Sequence, residues 1–340
     1  MPEFQMANFV VDSLQRGSVK VAVSPGFNAI SGRTRVLGVF GCPVEHSLSP
    51  AMHNAALTHL GLDYTYLPFS VRPEALECAL HSLTSLGIVG VNLTIPHKES
   101  GLAFVDEVTD EAEEVGAINT VHCLDGRLIA DNTDGLGFYR PLTECGFKVR
   151  GKNVVVLGAG GAARSVVFRL SREGAKQIWI ANRSRERADN LMAAVLMSGN
   201  GASQVATISL DDSDGVARAI LASELLVQTT RLGMYPDVGS QPPLPADCLH
   251  RNLLVYDLVY NPIETSLMAE ARLRGCTVLG GVKMLVYQGA AALERWIGTW
   301  PPTDVMERAV VAVLQDSARA AIRGAPKLDL GSQTNSTAEG

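Results

Sequence analysis

The sequence predicts an α/β protein of two domains, each built on a mostly parallel sheet. The chain has 340 residues and is 46% hydrophobic. This length exceeds what a single hydrophobic core normally stabilises, since single cores stop growing at roughly 250 to 300 residues. Runs typical of strands alternate with runs typical of helices, as expected when each strand returns through a helix to a parallel neighbour. The alternation occurs in two successive series, so we expect two sheets.

The first series starts near Arg33. Helices are predicted from Ser49, from Arg72 and across 98–115, because these stretches separate the apolar runs. The predicted strands are RVLGVFG, DYTYLPFS, GIVGVNLTIP, GAINTVHC and RLIADN. We therefore assign residues 33–134 to a first domain.

The second series occupies residues 135–282. Its predicted strands are KNVVVLG, QIWIAN, ELLVQTT, LLVYDLVY and TVLGG. Residues 283–324 have a helical pattern and no strands of their own, so they are predicted to pack back on the first domain. Residues 1–32 are weakly patterned and residues 325–340 are polar and turn-rich, which predicts a flexible extension and a disordered tail.

Composition argues against several classes of protein. The formal net charge is -6 and the basic residues do not run together, so we expect no nucleic-acid partner. The longest apolar runs fall short of the ~20 residues that cross a bilayer, and no basic start precedes an apolar stretch at the N-terminus. The six cysteines form no C-x-x-C pair and the histidines no ligand spacing. We expect a cytoplasmic protein with reduced thiols, no metal site and no membrane partner.

A glycine turn opens the second domain. The segment VVVLGAGGAARSVV, residues 154–167, is typical of a buried strand, a turn and a helix. Gly158, Gly160 and Ala163 fit G-x-G-x-x-[GA], in which the glycines turn the chain and admit a pyrophosphate and the small residue lets the helix pack closely. A tight turn without a ligand remains the alternative. The flanking strand and helix favour a Rossmann-type dinucleotide-binding domain.

The segment NRSRER follows the next predicted strand, at the position where a NAD-binding unit usually has an acid. It carries Arg183, Arg185 and Arg187 and no carboxylate before Glu186. Guanidinium groups suit the 2′-phosphate of NADP by charge and by planar geometry. We predict NADP as the cofactor, with a solvated basic helix start as the alternative.

Three polar stretches in the first domain follow or precede predicted elements. They are HSLSP with Ser47 and Ser49, GVNLTIPHK with Asn92, Thr94 and Lys98, and NTDG with Asp134. Polar groups at the carboxyl ends of strands face the crevice in which α/β sheets bind ligands. Taken singly, each stretch also fits a plain explanation, as helix caps, a surface lysine or a polar turn.

Together with AINTV, DLVYNPIET and GVKMLVYQ, in this order around an NADP-type unit, these stretches resemble the shikimate dehydrogenase family over roughly residues 36 to 300. The resemblance implies an enzyme that reduces 3-dehydroshikimate to shikimate with NADPH, on the way to chorismate and the aromatic amino acids. It also implies that the first domain binds the substrate.

The resemblance also implies roles for individual residues. Lys98 and Asp134 would be the catalytic pair. The substrate would be bound by Ser47 and Ser49 at its carboxylate, by Thr94, Asn119 and Gln288 at its hydroxyls, with Tyr260 closing over the carboxylate and Asn92 supporting the site. The cofactor would be bound by Gly158, Ala159, Gly160, Gly161, Ala162, Asn182, Arg183, Ser184, Arg187 and Gly281.

The sequence departs from the family pattern in two places. Gln228, Thr229 and Thr230 stand where the family commonly has Asn, Ala or Thr, and Thr, so we expect a different backbone contact near the nicotinamide ribose. Ser184 replaces the usual threonine and keeps its hydroxyl.

Two other functions stay open at this stage. Quinate dehydrogenase, or a dual activity, is the near alternative; the Ser-x-Ser pair in HSLSP and the basic NRSRER favour shikimate with NADP. A non-catalytic sensor of shikimate-type ligands is the distant alternative, disfavoured because a sensor has no use for a proton-transfer lysine such as Lys98. The sequence leaves the oligomeric state open, with a homodimer as one candidate.

Overall fold

The computed structural model describes residues 30–199 and 203–324. The extension and tail predicted for 1–32 and 325–340 therefore lie outside the described residues, apart from residues 30–32. Two six-stranded sheets with flanking helices make up the described part, which confirms the predicted fold class. Within these ranges, no helix combines the length and the apolar character that crossing a bilayer requires.

The first sheet has the strand order β2-β1-β3-β5-β6-β4. Its strands are β1 Arg35–Gly41, β2 Tyr64–Ser70, β3 Ile88–Leu93, β4 Glu107–Val108, β5 Thr120–Leu124 and β6 Arg127–Asp131. β1 runs parallel to β2 and β3, and β5 runs antiparallel to β3 and β6. The β5–β6 hairpin turns at Asp125 and Gly126, both with positive φ, as an Asp-Gly pair favours.

Helices α1 to α4 alternate with these strands and α5 follows β6, with its Phe138 and Leu142 sharing a core with Val154 and Val156. These helices are α1 Ser49–His59, α2 Leu76–Ser85, α3 His97–Ser100, α4 Asp110–Val115 and α5 Asp134–Glu144. The prediction of helices across 98–115 needs a correction, because β4 interrupts that stretch and pairs with β6. Strand β4 is an edge strand of only two residues, which is too short to show an alternation of apolar and polar residues in the sequence.

The second sheet is entirely parallel, with the order β12-β11-β10-β7-β8-β9. Its strands are β7 Asn153–Leu157, β8 Gln177–Asn182, β9 Gln204–Ser209, β10 Leu225–Gln228, β11 Leu254–Asp257 and β12 Thr277–Gly280, and its helices are α6 Gly161–Arg172, α7 Arg185–Ser198, α8 Ser213–Leu221 and α9 Ser266–Leu273. Strand β9 was not predicted. It is an edge strand with no fully buried residue, so its apolar signal is weak.

Two long helices, α10 Gly281–Ile297 and α11 Thr303–Gly324, follow the second sheet. Val286 and Met306 on these helices share one core with Leu37 of β1 and Met52 of α1. Helix α10 also packs closely on α5, since a Cβ at Gly137 would lie 2.6 Å from Cβ of Gln288. The predicted domain limits at 134/135 and 282/283 stay a prediction.

Candidate active site

A cavity of about 210 Å³ lies where the carboxyl ends of strands from both sheets meet. This edge is where open α/β sheets bind ligands. All nine residues predicted to be catalytic or substrate-binding line it, namely Ser47, Ser49, Asn92, Thr94, Lys98, Asn119, Asp134, Tyr260 and Gln288. Ala162 and Gly281, predicted on the cofactor side, line the same cavity.

The polar residues that line the cavity include an ion pair. Lys98 Nζ lies 2.5 Å from Asp134 Oδ2, and the side chains are 28% and 8% exposed. Asp134 is the first residue of α5, where the positive end of the helix dipole attracts negative charge. Its other oxygen accepts a hydrogen bond from Asn119 Nδ2 at 2.9 Å. An ammonium has three donors, and the pair with Asp134 occupies one.

Asn119 joins three side chains at this point. Its Nδ2 atom lies 2.9 Å from Thr133 Oγ1, 2.9 Å from Asp134 Oδ1 and 3.3 Å from Gln288 Oε1. A primary amide has two N–H donors, so the three acceptors share them. A ligand that offers a further acceptor can therefore draw one donor away without leaving Asn119 unpaired.

Asn92 is buried and fully engaged within the protein. Its Oδ1 accepts from the Tyr66 hydroxyl at 2.7 Å, and its Nδ2 donates to Asn119 O at 2.9 Å and to Thr120 Oγ1 at 3.2 Å. Both donors are already used, so Asn92 holds neighbouring groups in place and has no spare donor for a ligand.

The amino end of α1 forms another part of the wall. Ser49 is the first residue of this eleven-residue helix, and the N-cap residue, Leu48, makes no side-chain cap. Ser49 N donates to Ser47 Oγ at 3.3 Å. A helix amino end with two hydroxyls beside it attracts an anion. Tyr260 lines the same cavity, and burial raises the pKa of its hydroxyl, which keeps it a neutral donor.

The glycine turn after β7 has the shape that a dinucleotide needs. Gly158 has a φ of +112°, and a Cβ there would lie 2.5 Å from Thr229 Oγ1. A Cβ at Gly160 or Gly161 would meet nothing within 4 Å, so the backbone is open to a ligand. Helix α6 begins at Gly161 with no side-chain cap, which leaves its first N–H groups available to a pyrophosphate.

Gly281 begins α10 at the other side of the same crevice. A Cβ there would lie 2.2 Å from Leu258 O, so only glycine lets α10 start this close to the β11 loop.

The basic segment after β8 begins α7. Ser184 caps this helix, accepting from Arg187 N at 3.4 Å, and Asn182 Nδ2 donates to Ser184 O at 2.8 Å. Arg183 and Arg187 are exposed, and in the described part of the chain no carboxylate oxygen pairs with either. Arg185 instead lies 3.6 Å from Asp189. The free guanidinium groups and the open glycine turn together fit NADP.

Sequence reasoning missed two supporting residues. Asn132 Oδ1 accepts from Asp134 N at 3.0 Å and its Nδ2 donates to Ala117 O at 2.8 Å, which orients the start of α5. Its place in NTDG was a usable signal. Tyr66, which holds Asn92, lies in an apolar strand and carries no signal in the sequence.

His53 lies one turn behind Ser49 and is completely buried. Its ring stacks on Tyr66 with centroids 4.2 Å apart and planes 9° apart. Within the described residues neither ring nitrogen has a hydrogen-bond partner. Burial lowers its pKa from 6.5 to about 3, so His53 is neutral at physiological pH and acts as an aromatic core residue.

Three segments of the chain match family models. Residues 39–121 match the shikimate dehydrogenase substrate binding domain, residues 142–247 the shikimate / quinate 5-dehydrogenase model, and residues 281–311 the shikimate 5′-dehydrogenase C-terminal domain.

Whole-chain relatives agree with these segments. A shikimate dehydrogenase (NADP(+)) of Methanopyrus kandleri is 49% identical over 288 residues, which cover 84% of this chain and 98% of the relative. A crystal structure of a shikimate dehydrogenase in complex with NADP+ has a TM-score of 0.80 and 38% identity, covering 86% of this chain and 99% of the other. The crystal structure of the Thermus thermophilus shikimate 5-dehydrogenase, in complex with NADP(H) and shikimate, has a TM-score of 0.73 and 38% identity. The match covers 82% of this chain and 100% of the other.

Proposed function

The chain belongs to the shikimate dehydrogenase family, and we propose on this basis how its residues carry out the family reaction. The protein is an NADP-dependent oxidoreductase that interconverts 3-dehydroshikimate and shikimate, a step toward chorismate and the aromatic amino acids. The observation that carries this function is the Lys98–Asp134 ion pair in a cavity that Ala162 and Gly281 border.

Lys98 and Asp134 act on the proton of the reacting oxygen. When bound, NADPH supplies the hydride that reduces the ketone carbon. The ketone oxygen then needs a proton, which the Lys98 ammonium donates from one of the two N–H groups that Asp134 does not occupy. In the oxidative direction the neutral amine takes the proton back. Asp134, fixed by Asn119 and by the start of α5, holds the amine in line.

The rest of the cavity matches a ring that carries one carboxylate and several hydroxyls. The carboxylate binds at the amino end of α1 through Ser47 and Ser49, and the neutral Tyr260 hydroxyl donates to it. Thr94, Asn119 and Gln288 bind the ring hydroxyls, and Asn92 supports them through its own fixed hydrogen bonds.

The cofactor binds along the other side of the crevice. The turn from Gly158 to Ala162 and the first N–H groups of α6 bind the pyrophosphate, with Gly281 opposite. Arg183 and Arg187 bind the 2′-phosphate, with Asn182 and Ser184 shaping the turn that presents them. The relatives that carry the name shikimate dehydrogenase (NADP(+)) agree with this preference for NADP.

Neither alternative function is favoured. Quinate dehydrogenase is the weaker candidate because the curated relatives at 41–49% identity are named as NADP-dependent shikimate dehydrogenases. A non-catalytic sensor would gain nothing from a lysine paired at 2.5 Å with a carboxylate in the cavity.

The domains divide at 134/135 and 282/283. The six cysteines are free thiols, which supports a reducing compartment and hence the cytoplasm.

The oligomer is a homodimer, supported by Leu67, which is 38% exposed on β2 at the edge of the first sheet. Nucleic acid and membranes are not partners. Light scattering during size-exclusion chromatography measures the oligomer directly.

The decisive experiment mixes the purified protein with shikimate and NADP+ and follows the absorbance band of NADPH. We expect turnover with this pair, and much slower turnover when quinate replaces shikimate or NAD+ replaces NADP+. Faster turnover with quinate would make the protein a quinate dehydrogenase. Binding of shikimate without turnover would make it a sensor.

A further inference from the structure

Gln228 ends strand β10 and is completely buried. A buried primary amide must find partners for both its ends, because an end without a partner loses its hydrogen bonds to water and gains none in return. Gln228 finds both in the loop that follows it. Its Oε1 accepts from Thr230 N at 3.0 Å, and its Nε2 donates to Leu232 O at 3.1 Å. The side chain thus closes residues 228–232 into a ring of hydrogen bonds.

The closed loop is attached to the glycine turn. Thr229 N and Thr229 Oγ1 both donate to Leu157 O, at 3.0 and 2.6 Å. Leu157 directly precedes Gly158, and the nearest heavy atom to a Cβ built at Gly158 is Thr229 Oγ1. The loop therefore forms the back wall of the turn that approaches the pyrophosphate. Gln228 O also accepts from Leu258 N at 2.9 Å, and Leu258 lines the substrate cavity.

The length of the side chain decides what the loop can do. An asparagine at this position keeps the short bond to the N–H two residues ahead, since this is the usual Asx-turn contact. It is one methylene shorter, so it does not also reach the carbonyl four residues ahead. Glutamine is therefore the residue that fixes both Thr230 and Leu232.

We propose that Gln228 is a positioning residue for the cofactor: by fixing the loop 228–232 it holds the Gly158 turn in the shape that binds NADP(H). This rests on the proposed use of that turn for the pyrophosphate. The Gln228 side chain touches neither ligand and acts through Thr229 and Thr230.

The test compares Gln228→Met, which keeps the volume and removes both hydrogen bonds, with Gln228→Asn, which keeps one. We measure the Kd of NADPH by fluorescence titration, and the Michaelis constants of NADP+ and shikimate with the other ligand saturating. In Gln228→Met the two hydrogen bonds that close the loop 228–232 are lost, so the Kd of NADPH should rise about tenfold. This rise equals a loss of about 1.4 kcal/mol in the free energy of binding. Gln228→Asn should lie between this variant and the unmodified protein. The Michaelis constant of shikimate should stay within about twofold of the unmodified value.

Ser223→Ala is the matched control, because it also removes one buried hydrogen bond, from Ser223 Oγ to Ala219 O at 2.7 Å, but just before the opposite end of β10. If Gln228→Met and Ser223→Ala lower the melting temperature alike and leave the Kd of NADPH unchanged, Gln228 is only structural and the proposal fails. If Gln228→Met does not fold, Thr229→Val decides, since it removes the bond from Thr229 Oγ1 to Leu157 O and keeps the bond from Thr229 N. It should also weaken NADPH binding, and an unchanged Kd would refute the proposal. An unmodified protein that does not bind NADPH would instead refute the proposed function.

Discussion

Replacing Lys98 by alanine tests the proposed mechanism most directly. The change removes the ammonium that lies 2.5 Å from Asp134 Oδ2. We expect turnover to fall by ~10² to 10⁴, the usual contribution of a positioned acid or base, while the Michaelis constant of shikimate changes modestly. Asp134→Asn should also lower turnover, because its amide would place an N–H group against either Lys98 Nζ or Asn119 Nδ2.

The same geometry predicts the effect of Lys98→Ala on stability. Losing one partner of a fully buried ion pair costs roughly 3 to 5 kcal/mol. Lys98 is 28% exposed, and Asp134 keeps Asn119 and the amino end of α5. We therefore expect a smaller loss in the free energy of unfolding, about 1 to 3 kcal/mol. The variant should remain folded, so that kinetics report on chemistry.

Steady-state kinetics in both directions, at saturating NADP(H), provide the assay. Lys152→Ala is the matched control, since Lys152 also pairs with a carboxylate, Glu224 at 3.2 Å, on the surface of the second sheet. It should leave turnover unchanged. A Lys98→Ala enzyme with near-normal turnover and a greatly raised Michaelis constant for shikimate would refute the acid/base role and leave Lys98 as a substrate anchor.

Three further predictions follow from the cofactor site and from the buried histidine. Arg183→Ala should raise the Michaelis constant of NADP+ about ten- to a hundredfold and hardly affect that of NAD+; an equal rise for both would contradict the assignment of Arg183 to the 2′-phosphate. Gly158→Ala should abolish NADPH binding in a fluorescence titration, because φ is +112° and a Cβ would lie 2.5 Å from Thr229 Oγ1; retained binding would show that the turn can shift. Burial lowers the pKa of His53 from 6.5 to about 3. As the pH falls, His53 is therefore protonated in the unfolded chain before it is protonated in the folded protein. Its contribution to the free energy of unfolding is lost as the pH falls below about 6.5. His53→Phe should therefore reduce the loss in the free energy of unfolding between pH 6.5 and 5 by about 2 kcal/mol, measured by urea titration, and an unchanged loss would mean that His53 is not the group responsible.

The sequence predicted the site correctly at positions where the residue type has a single physical reason to be present. The glycines at 158 and 160 and the arginines after β8 carry such reasons, and the structure has them in an open turn and on an exposed helix start. Polar residues at strand ends predicted the crevice in the same way, and Lys98 and Asp134 come together there.

The rest depended on contacts that no local pattern records. Asn119 meets Gln288, 169 positions away, and Tyr66 of β2 meets Asn92 of β3 across the intervening strand β1. Strand β9 escaped prediction because an edge strand alternates weakly. Gln228 was recognised as a departure, but the ring that it closes with Thr230 and Leu232 appears only in three dimensions.

The order of the two sheets along the chain has a consequence for synthesis on the ribosome. Domains generally fold as units as the chain emerges, the amino-terminal one first. Here the core around Leu37 and Met52 needs Val286 and Met306, and the whole second sheet is translated between them. Until then one face of the first sheet stays exposed, whereas the strands from β7 to β12 have all their neighbouring strands once Gly280 has emerged. Of the buried residues in the core around Val154 and Ile178, only Met284 of α10 is then still to be translated. We therefore expect the dinucleotide-binding sheet, although second in the chain, to complete its fold first.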